Sequence, residues 1–283
     1  MKLLAYPEYR NSEAEWLGRV PAHWAVKRLR SVTRSIEQGW SPQCDNQLAD
    51  DDAWGVMKVG CVNGDKFDAL ENKALPPEIE PKPEYELRPR DILVSRANTK
   101  ELLGSAAIVP DAVRPRLLLC DKLFRLRPED EVHEGFLTLY LRTSTARCHY
   151  EREATGASAS MQNIGQHTLK GVAIPLPTRD EQRQIAAFLD WKTTQINALI
   201  AKKQALIEKL KEKRLAEVTQ AVTKGLDPAA PSRESGVSWL GDIPEDWEVI
   251  PLGFLMTMSG GLTPSMANAD YWQGEIPWSR RRT

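Results

Sequence analysis

The sequence predicts an α+β protein, in which a mixed α/β domain is followed by one long coiled-coil-forming α-helix. Three observations support this class: short β-rich runs in the first part of the chain, a capped heptad pattern after them, and a repeat of the N-terminal segment near the end. Together they divide the 283 residues into the segments 1–178, 179–225 and 226–283.

The first segment alternates short β-rich runs with turn residues. The runs are rich in Val, Ile and Leu, and Gly, Pro, Asn or Asp separates them. They lie at 54–59, 91–95, 106–109 and 171–174. One helix is expected at 133–147, where most of the central side chains are apolar. This combination predicts a mixed α/β domain over residues 1–178.

The second segment carries start and stop signals for a single helix. Thr178 can act as the N-cap, and Glu181 stands three residues later as the partner of a capping box. Lys224 followed by Gly225 is typical of a helix C-terminus. A helix of about 46 residues would be roughly 70 Å long at 1.5 Å per residue.

Apolar residues recur along this helix on the a and d rows of a heptad. The predicted helix-pairing residues are Ile185, Leu189, Ile196, Leu199, Leu206 and Leu210. The frame is imperfect, since Lys192, Lys203 and Lys213 occupy core positions, and beyond Leu210 the stripe drifts toward Val218 and Val222. Because an amphipathic helix is stabilised mainly by burying its apolar face, we expect a partner helix from another chain. Packing of the helix on its own domain is the alternative.

A repeat with a spacing of 223 residues links the two ends of the chain. Residues 16–29 align with 239–252, and seven of the fourteen positions are identical. So long a period indicates duplication of a module of domain size. We therefore expect 226–283 to be the start of a truncated second domain, poorly ordered or covered by a neighbour. The aligned tryptophans are interpreted as packing residues: Trp16, Trp24, Trp239 and Trp247.

Composition narrows the function classes. The net charge is −1, and the three segments carry −1, +4 and −4. If the partner is a nucleic acid, its phosphate charge would therefore have to be neutralised largely by other subunits. The spacing of the four cysteines fits neither a metal knuckle nor a dense disulfide framework, and no metal site is expected. No apolar stretch is long enough for a membrane span or a signal peptide, which favours the cytoplasm.

Three polar segments of the first domain are candidates for DNA contact: 95–100, 155–160 and 162–163. Arg can pair with guanine, and Asn or Gln can pair with adenine, in the major groove. Ser, Thr and Lys serve phosphates. Ordinary surface loops are the alternative on composition alone. The candidate residues are Arg96, Asn98, Thr99, Lys100, Ser158, Gln162 and Asn163.

Several motifs in a fixed order make the chain resemble the specificity subunit of type I restriction-modification enzymes. The motifs cover most of the sequence and are specific in combination. They are Trp16-Leu17-Gly18-x-Val20-Pro21-x-x-Trp24, the run from Asp91 to Thr99, Asp121-Lys122-Leu123-x-Arg125-Leu126, the polar run from Thr155 to Ile164, the segment from Pro175 to Asp190, and the run from Ala221 to Asp227 before the second Trp-Leu-Gly box.

This resemblance implies a non-catalytic subunit that reads double-stranded DNA. In that family two target-recognition domains each read half of a split sequence, and two long helices pair antiparallel and set the gap between them. Methyltransferase (M) subunits then methylate adenine N6, and a restriction (R) subunit translocates and cuts. The resemblance places no cofactor in this chain; S-adenosylmethionine, ATP and Mg²⁺ belong to the partner subunits.

The chain departs from the full-length pattern because its second domain is short. We therefore expect a half-subunit that forms a homodimer through the long helix and reads an inverted-repeat target. Three alternatives stay open. An enzyme is disfavoured, because Pro76-Pro77 lacks the flanking residues of an adenine methyltransferase and no phosphate-binding loop is present. A protein-binding adaptor and an inactive remnant of a specificity subunit are the others.

Overall fold

The computed structural model describes residues 5–260 except 13, 15, 65, 159 and 160, and it describes the backbone alone at 157 and 158. The chain divides into two compact units, Met1–Asn197 and Ala198–Thr283. The mixture of helices and sheets, with one long helix, confirms the predicted α+β class.

The first unit contains fourteen short strands and three short helices among its described residues. Its strands are β1 (Tyr9–Asn11), β2 (Arg19–Pro21), β3 (Ala25–Arg28), β4 (Thr33–Gln38), β5 (Gly55–Met57), β6 (Asn72–Ala74), β7 (Ile92–Ser95), β8 (Ala97–Asn98), β9 (Ala106–Ile108), β10 (Leu117–Leu118), β11 (Leu123–Pro128), β12 (Thr155–Ser158), β13 (Met161–Asn163) and β14 (Ala173–Leu176). Its helices are α1 (Glu134–Leu141), α2 (Ser144–Glu153) and α3 (Gln166–Gly171), and three 3₁₀ turns lie at Leu29–Ser31, Val59–Val62 and Pro83–Tyr85. The long helix α4 (Arg179–Lys224) begins in this unit, and the second unit adds β15 (Ser232–Glu234), β16 (Asp242–Pro244) and α5 (Leu252–Leu255).

A four-stranded antiparallel sheet in the order β4-β11-β7-β9 forms the centre of the first unit. Successive side chains of a strand point to opposite faces, and in β7 both faces are buried. Ile92 and Val94 belong to the apolar cluster that includes α1, α2 and α3, whereas Leu93 belongs to a second cluster that includes β5 and β10. The β-rich runs predicted at 54–59, 91–95, 106–109 and 171–174 each overlap a strand of this domain.

The single helix predicted at 133–147 is wrong, since two helices occupy this region. α1 ends at Leu141, and α2 begins at Ser144. The hydroxyl of Thr143 accepts a hydrogen bond from the amide of Ala146 over 3.3 Å, so Thr143 is the N-cap of a new helix. Such a cap satisfies an otherwise unpaired amide and favours a fresh start over continuation of the preceding helix.

The start and the end of α4 follow the predicted signals. The Glu181 carboxylate accepts hydrogen bonds from the amide of Thr178 (3.1 Å) and from its hydroxyl (2.9 Å). The hydroxyl in turn accepts from the amide of Glu181 at 3.4 Å, which completes the reciprocal pair of a capping box. The helix ends at Lys224, and Gly225 has a φ of +77°.

Only the first turns of α4 pack on their own domain. Gln182 and Ala186 are buried, and Ile185 contacts the core cluster of the first unit. Farther along, large apolar side chains of the helix are between 45% and 68% exposed: Trp191, Ile196, Leu199, Ile200, Leu206, Ile207, Leu210, Leu215, Val218 and Val222. Ile185 is thus covered by residues of its own unit, whereas no described residue covers the apolar stripe beyond it.

The repeat is visible as two hairpins with the same register. Strand β1 pairs with β2 and β15 pairs with β16, with every partner displaced by the 223 residues of the sequence repeat. Arg10 donates to the carbonyl of Trp24 (2.7 Å), and Arg233 donates to the carbonyl of Trp247 (2.6 Å). The structural repeat therefore begins upstream of Trp16, outside the segment 16–29 that the sequence repeat covers.

The tryptophans of the two copies differ in their surroundings. The Trp16 ring lies 5.1 Å from the His149 ring, between centroids, and is half-buried. Trp239, its counterpart in the second copy, is 83% exposed. The packing role predicted for Trp239 is thus wrong within the described residues, because the second hairpin has no domain core beside it there. The expectation for residues 261–283 lies outside the described part of the chain.

The four cysteines are free, and burial raises the pKa of the Cys120 thiol to about 12, so this group is a structural thiol and not a nucleophile. Among the helices that the structure describes, none is long and apolar enough to cross a bilayer.

Candidate nucleic-acid interface

All three polar segments meet in one small sheet. Strands β12, β13 and β8 lie in that order and pair antiparallel. Gln162 lies directly opposite Asn98, and Asn163 lies opposite Ala97. The sequence predicted these segments as separate loops; the structure pairs them as strands, and we call this three-stranded unit the polar sheet.

The polar sheet divides the predicted residues between its two faces. Directly opposed residues share a face, and neighbours along a strand alternate. Gln162 therefore shares a face with Asn98, while Asn163 lies on the other face together with its partner Thr155. Ser158 lies in β12, and its side chain is outside the described residues.

The buried strand β7 leads into β8, which forms one edge of the polar sheet. After Ser95 the chain continues as Arg96, enters β8 and turns back at 99–104. The Ser95 hydroxyl donates to the carbonyl of Leu102 (2.8 Å), and the Ser95 amide donates to the carbonyl of Ser105 (2.8 Å). These bonds close the segment 96–104, which we call the reading loop, on a fully buried anchor.

Gly104 makes the closure of the reading loop possible. Its φ is +75°, and a Cβ at this position would overlap the ring of Tyr150. Tyr150 is buried in α2 and belongs to the core cluster. Only glycine combines this backbone conformation with such close approach to a ring, so the base of the loop is fixed against the domain core.

Asn98 is less accessible than the sequence suggested. It is 8% exposed, its amide nitrogen donates to Oδ1 of Asn63 (2.8 Å), and its own oxygen accepts from the amide of Thr99 (2.9 Å). Both ends of the side chain are engaged within the domain. The arrangement favours a positioning role, in which Asn98 holds the turn that carries the exposed Asn63 beside the polar sheet.

Arg147 is a second residue that the sequence analysis missed. From α2 it donates hydrogen bonds to the carbonyls of Lys100 (3.3 Å) and Glu101. It thereby holds the outer part of the reading loop and adds a cation beside it. Nothing in the sequence indicates this contact, because Arg147 and Lys100 are 47 positions apart and the contact uses backbone oxygens.

The cations around the reading loop form no ion pair with a carboxylate among the described residues. Glu101 lies in the same loop, and its hydrogen bonds together with the charges of Lys100 and Arg147 lower its pKa. Arg96 is half-buried, and its guanidinium lies 3.5 Å from the carbonyl of Asp121. Lys100 and Lys122 are exposed, and the carbonyl of Lys122 accepts from the amide of Arg96 (2.8 Å). The exposed ammonium groups of Lys100 and Lys122 are accessible to phosphates.

Several charged side chains of the central sheet are, in contrast, paired with one another. Arg125 of β11 is 2% exposed and forms ion pairs with Glu37 and with the buried Asp91. Arg127 binds the other oxygen of Asp91 at 3.0 Å. Burial raises the pKa of Glu37, but the hydrogen bonds and the charge of Arg125 outweigh it and lower that pKa overall. This network joins β4 and β11 to Asp91, which immediately precedes β7, and both of its arginines are bound to carboxylates.

One small sheet and its loop therefore carry amide and guanidinium groups of the kind that pair with base edges, together with exposed cations of the kind that contact phosphates. The chain belongs to a family described as the type I restriction modification DNA specificity domain, whose profile matches residues 21–209. This agrees with the resemblance that the sequence motifs indicated.

Two similar proteins belong to the same family. The chain is similar to the type I restriction enzyme EcoEI specificity subunit of Escherichia coli, with 30% identity over 173 residues, which are 60% of this chain and 29% of that protein. It is also similar to the putative type I restriction enzyme MjaX specificity subunit of Methanocaldococcus jannaschii, with 28% identity over 253 residues, or 89% of this chain and 57% of that protein. The chain thus spans between 29% and 57% of the length of these relatives.

A solved structure shares the fold. A chain from a study of complex assembly and conformational transition of the type I R-M system aligns with a TM-score of 0.54 and 25% identity. The alignment covers 77% of this chain and 49% of that chain. The similarity in fold therefore extends over most of this chain and about half of its structural relative.

Proposed function

We propose that this chain is the sequence-specific DNA-recognition subunit of a type I restriction-modification complex. The observation that carries the proposal is the pairing of β8 with β13, which brings residues from distant parts of a specificity-family domain into one polar sheet. The chain is non-catalytic in this proposal. Adenine-N6 methylation and cleavage belong to M and R subunits, which bind S-adenosylmethionine, ATP and Mg²⁺ in the cytoplasm.

The side chains of the interface have separate roles in this proposal. Arg96, Gln162 and Asn163 have the donor and acceptor groups to pair with base edges. Thr99, Lys100 and Ser158 serve phosphates. Asn98, whose polar atoms are already engaged, positions the sheet and the neighbouring turn.

The bipartite target is read by two copies of the chain. The family profile matches residues 21–209 of this chain, and the uncovered apolar stripe of α4 supports pairing with the helix of a second copy. An antiparallel pair of helices, the arrangement that the family resemblance implies, is two-fold symmetric, so two identical domains meet an inverted-repeat sequence. M and R subunits are positioned on that target by the dimer.

Methylome sequencing of cells that express this chain with its cognate M subunit tests the recognition role. We expect adenine-N6 methylation at a two-part inverted repeat, which disappears when the chain is omitted. Methylation without any sequence motif, or a motif that does not depend on this chain, would support the adaptor or the inactive remnant instead.

Light scattering tests the dimer separately. The wild-type chain should have twice the mass of one chain at micromolar concentration, and Leu199→Asp with Leu206→Asp should return it to the mass of one chain. The matched control is Lys202→Asp with Lys209→Asp, on the same helix but off the a and d rows. A single-chain mass for the wild type contradicts the dimer without affecting DNA recognition.

A further inference from the structure

We propose that Asn63 is a further base-reading residue, and that Asn98 orients its carboxamide so that the NH₂ group faces away from the domain. In this arrangement Asn63 donates to the oxygen of a keto base, guanine or thymine, in the major groove. This role rests on the proposed function and adds a specificity residue outside the three polar segments of the sequence. Two successive hydrogen bonds fix the direction of the donor.

Asn63 stands on a rigid base. It follows the 3₁₀ turn Val59–Val62, and its amide donates to the carbonyl of Gly60 over 3.0 Å. The two residues before it are buried in the second apolar cluster, and the amide of Asp68 donates to the carbonyl of Cys61 (3.0 Å). Asn63 itself is exposed. The turn thus carries an exposed carboxamide at a fixed position on the domain.

The orientation of the Asn98 carboxamide is set by the backbone. The amide of Thr99 donates to Oδ1 of Asn98 over 2.9 Å. Because a backbone N–H can only donate and a carboxamide NH₂ cannot accept, the oxygen of Asn98 must lie at this position. Asn98 is buried, so a reversed side chain would leave two donors opposed without water to satisfy them. The nitrogen of Asn98 is therefore the end that faces Asn63.

The nitrogen of Asn98 sets the orientation of Asn63 in turn. It lies 2.8 Å from Oδ1 of Asn63, and a donor needs an acceptor opposite it. Nδ2 of Asn63 therefore lies on the side turned away from Asn98. No described residue accepts a hydrogen bond from this nitrogen. Asn63 thus presents an NH₂ group outward, while its oxygen is engaged with the domain.

A fixed NH₂ group distinguishes keto bases from amino bases. In the major groove guanine presents O6 and N7, and thymine presents O4, all of which accept hydrogen bonds. Adenine and cytosine present an amino group instead. The usual pairing of asparagine with adenine uses both the oxygen and the nitrogen of the carboxamide. Because Asn98 occupies the oxygen of Asn63, that pairing is disfavoured, and a keto base is the better partner.

Two features favour a base edge over a phosphate as the partner of Asn63. Gln162 lies directly opposite Asn98 in the polar sheet, so their side chains share a face, and Asn63 is hydrogen-bonded to that same face. The carboxamide of Asn63 is also neutral and held in one orientation, as base recognition requires. The exposed ammonium groups of Lys100 and Lys122, in contrast, offer positive charge to phosphates.

Two substitutions at different residues test the proposal by reversing the outward group. In Asn98→Asp the amide of Thr99 keeps its acceptor, but no donor faces Asn63, whose carboxamide should turn over and present its oxygen. In Asn63→Asp the bond from Asn98 is kept, and an oxygen replaces the outward NH₂ group. Both variants should therefore exchange a keto base for an amino base at the same position of a half-site. A merely structural bond between the two residues predicts no such exchange.

The measurement uses the full chain coexpressed with its M subunit. Methylome sequencing gives the motif, and fluorescence anisotropy of the assembled complex on duplexes that differ at one position gives the size of the effect. We expect the wild type to prefer the keto base by roughly tenfold, the effect of one hydrogen bond. Asn63→Ala should lose this preference, and each Asp variant should favour the amino base. Circular dichroism checks the fold of every variant.

The matched control is Asn197→Asp on α4, which makes the same charge change at an exposed position and should keep the wild-type motif. Base reading by Asn63 is overturned if Asn63→Ala weakens binding equally on all sequences, or if Asn63→Asp keeps the wild-type base. An exchange in Asn63→Asp without one in a folded Asn98→Asp overturns the orienting role of Asn98. A wild-type chain that directs no motif contradicts the proposed function and the role of Asn63 with it.

Discussion

Nε2 of His23 lies 2.9 Å from Oε1 of Glu181, so the first copy of the repeat is bound to the capping box of the long helix. Nε1 of Trp24 approaches the same carboxylate at 3.4 Å. The side chain that caps α4 therefore also holds the segment from which β3 starts. The beginning of the helix and the N-terminal hairpin are stabilised by one carboxylate.

The Glu181 contacts predict a stability change in acid. Burial raises the pKa of Glu181, but hydrogen bonds from His23, Thr178 and Trp24 outweigh it and lower the pKa from 4.5 to about 2. A carboxyl group with a depressed folded-state pKa contributes stability above pH 4.5, and this contribution is lost as the pH falls toward 2. Urea unfolding, followed by circular dichroism over this pH range, should show the loss in the wild type and a shallower slope in Glu181→Gln.

The loss of the charged cap in Glu181→Gln should cost about 1 kcal/mol at neutral pH. Asp180→Asn is the matched control, because Asp180 is exposed and, among the described residues, pairs with Arg183 on the helix surface. Its slope between pH 4.5 and 2 should follow that of the wild type. Equal slopes for Glu181→Gln and the wild type would show that the carboxylate has no part in the acid response.

The buried ion-pair network predicts a large effect at Arg125. Arg125→Met removes the cation from between Glu37 and Asp91 and leaves Asp91, which is 3% exposed, with one fewer partner. Breaking a buried pair on one side typically costs about 3–5 kcal/mol. The free energy of unfolding from urea titration measures this loss.

The control for Arg125 is Arg34→Met on the neighbouring strand β4. Arg34 pairs with Glu129 and Asp130 at the surface, and such pairs contribute about 0–1 kcal/mol. A loss at Arg125 no larger than that at Arg34 would mean that the network does not hold the central sheet together.

The reading loop should not tolerate a side chain at Gly104. In Gly104→Ala the residue keeps a positive φ, and its new methyl group also meets the Tyr150 ring. In Gly18→Ala the residue has a φ of +65°, but no atom lies within 4 Å of the new methyl group. The φ cost alone is roughly 1–2 kcal/mol, and overpacking adds about 1–3 kcal/mol at Gly104. Thermal unfolding of both variants gives the difference, and equal losses would contradict the close contact with Tyr150.

Base reading and phosphate contact predict different responses to DNA sequence and salt. Lys100→Ala should weaken binding to all sequences alike and reduce the salt slope by about 1. Gln162→Ala should cost about 1–3 kcal/mol on the target and little on other DNA, which relaxes specificity at one base pair. Fluorescence anisotropy with the assembled M subunits, on target and scrambled duplexes at several salt concentrations, measures both effects.

If Gln162→Ala weakens binding equally on all DNA sequences, then Gln162 contacts the DNA backbone or supports the fold and does not read a base. Asn163→Ala is the matched comparison, because Asn163 is the next residue of the same strand and faces the other side of the polar sheet. A change of base preference in only one of the two variants identifies the face of the sheet that meets the bases.

Features of α4 were predictable because they depend on neighbours in sequence. The bonds between Thr178 and Glu181 span three residues, and the stripe from Leu189 to Val222 follows from helical periodicity. The break between α1 and α2 was missed, because the apolar residues before Arg142 suggest one continuous helix. A local cap at Thr143 overrides them.

The sequence by itself determined the α+β class, the bounds of the long helix, the repeat and the family, since these depend on local patterns and on the order of motifs. Only the tertiary structure decided that Gln162 lies opposite Asn98, that Asn98 is already bound to Asn63, and that Ile185 is covered while Ile196 is exposed. Strand register between distant segments, and the burial of a given side chain, depend on how the whole domain packs. No local pattern encodes that packing.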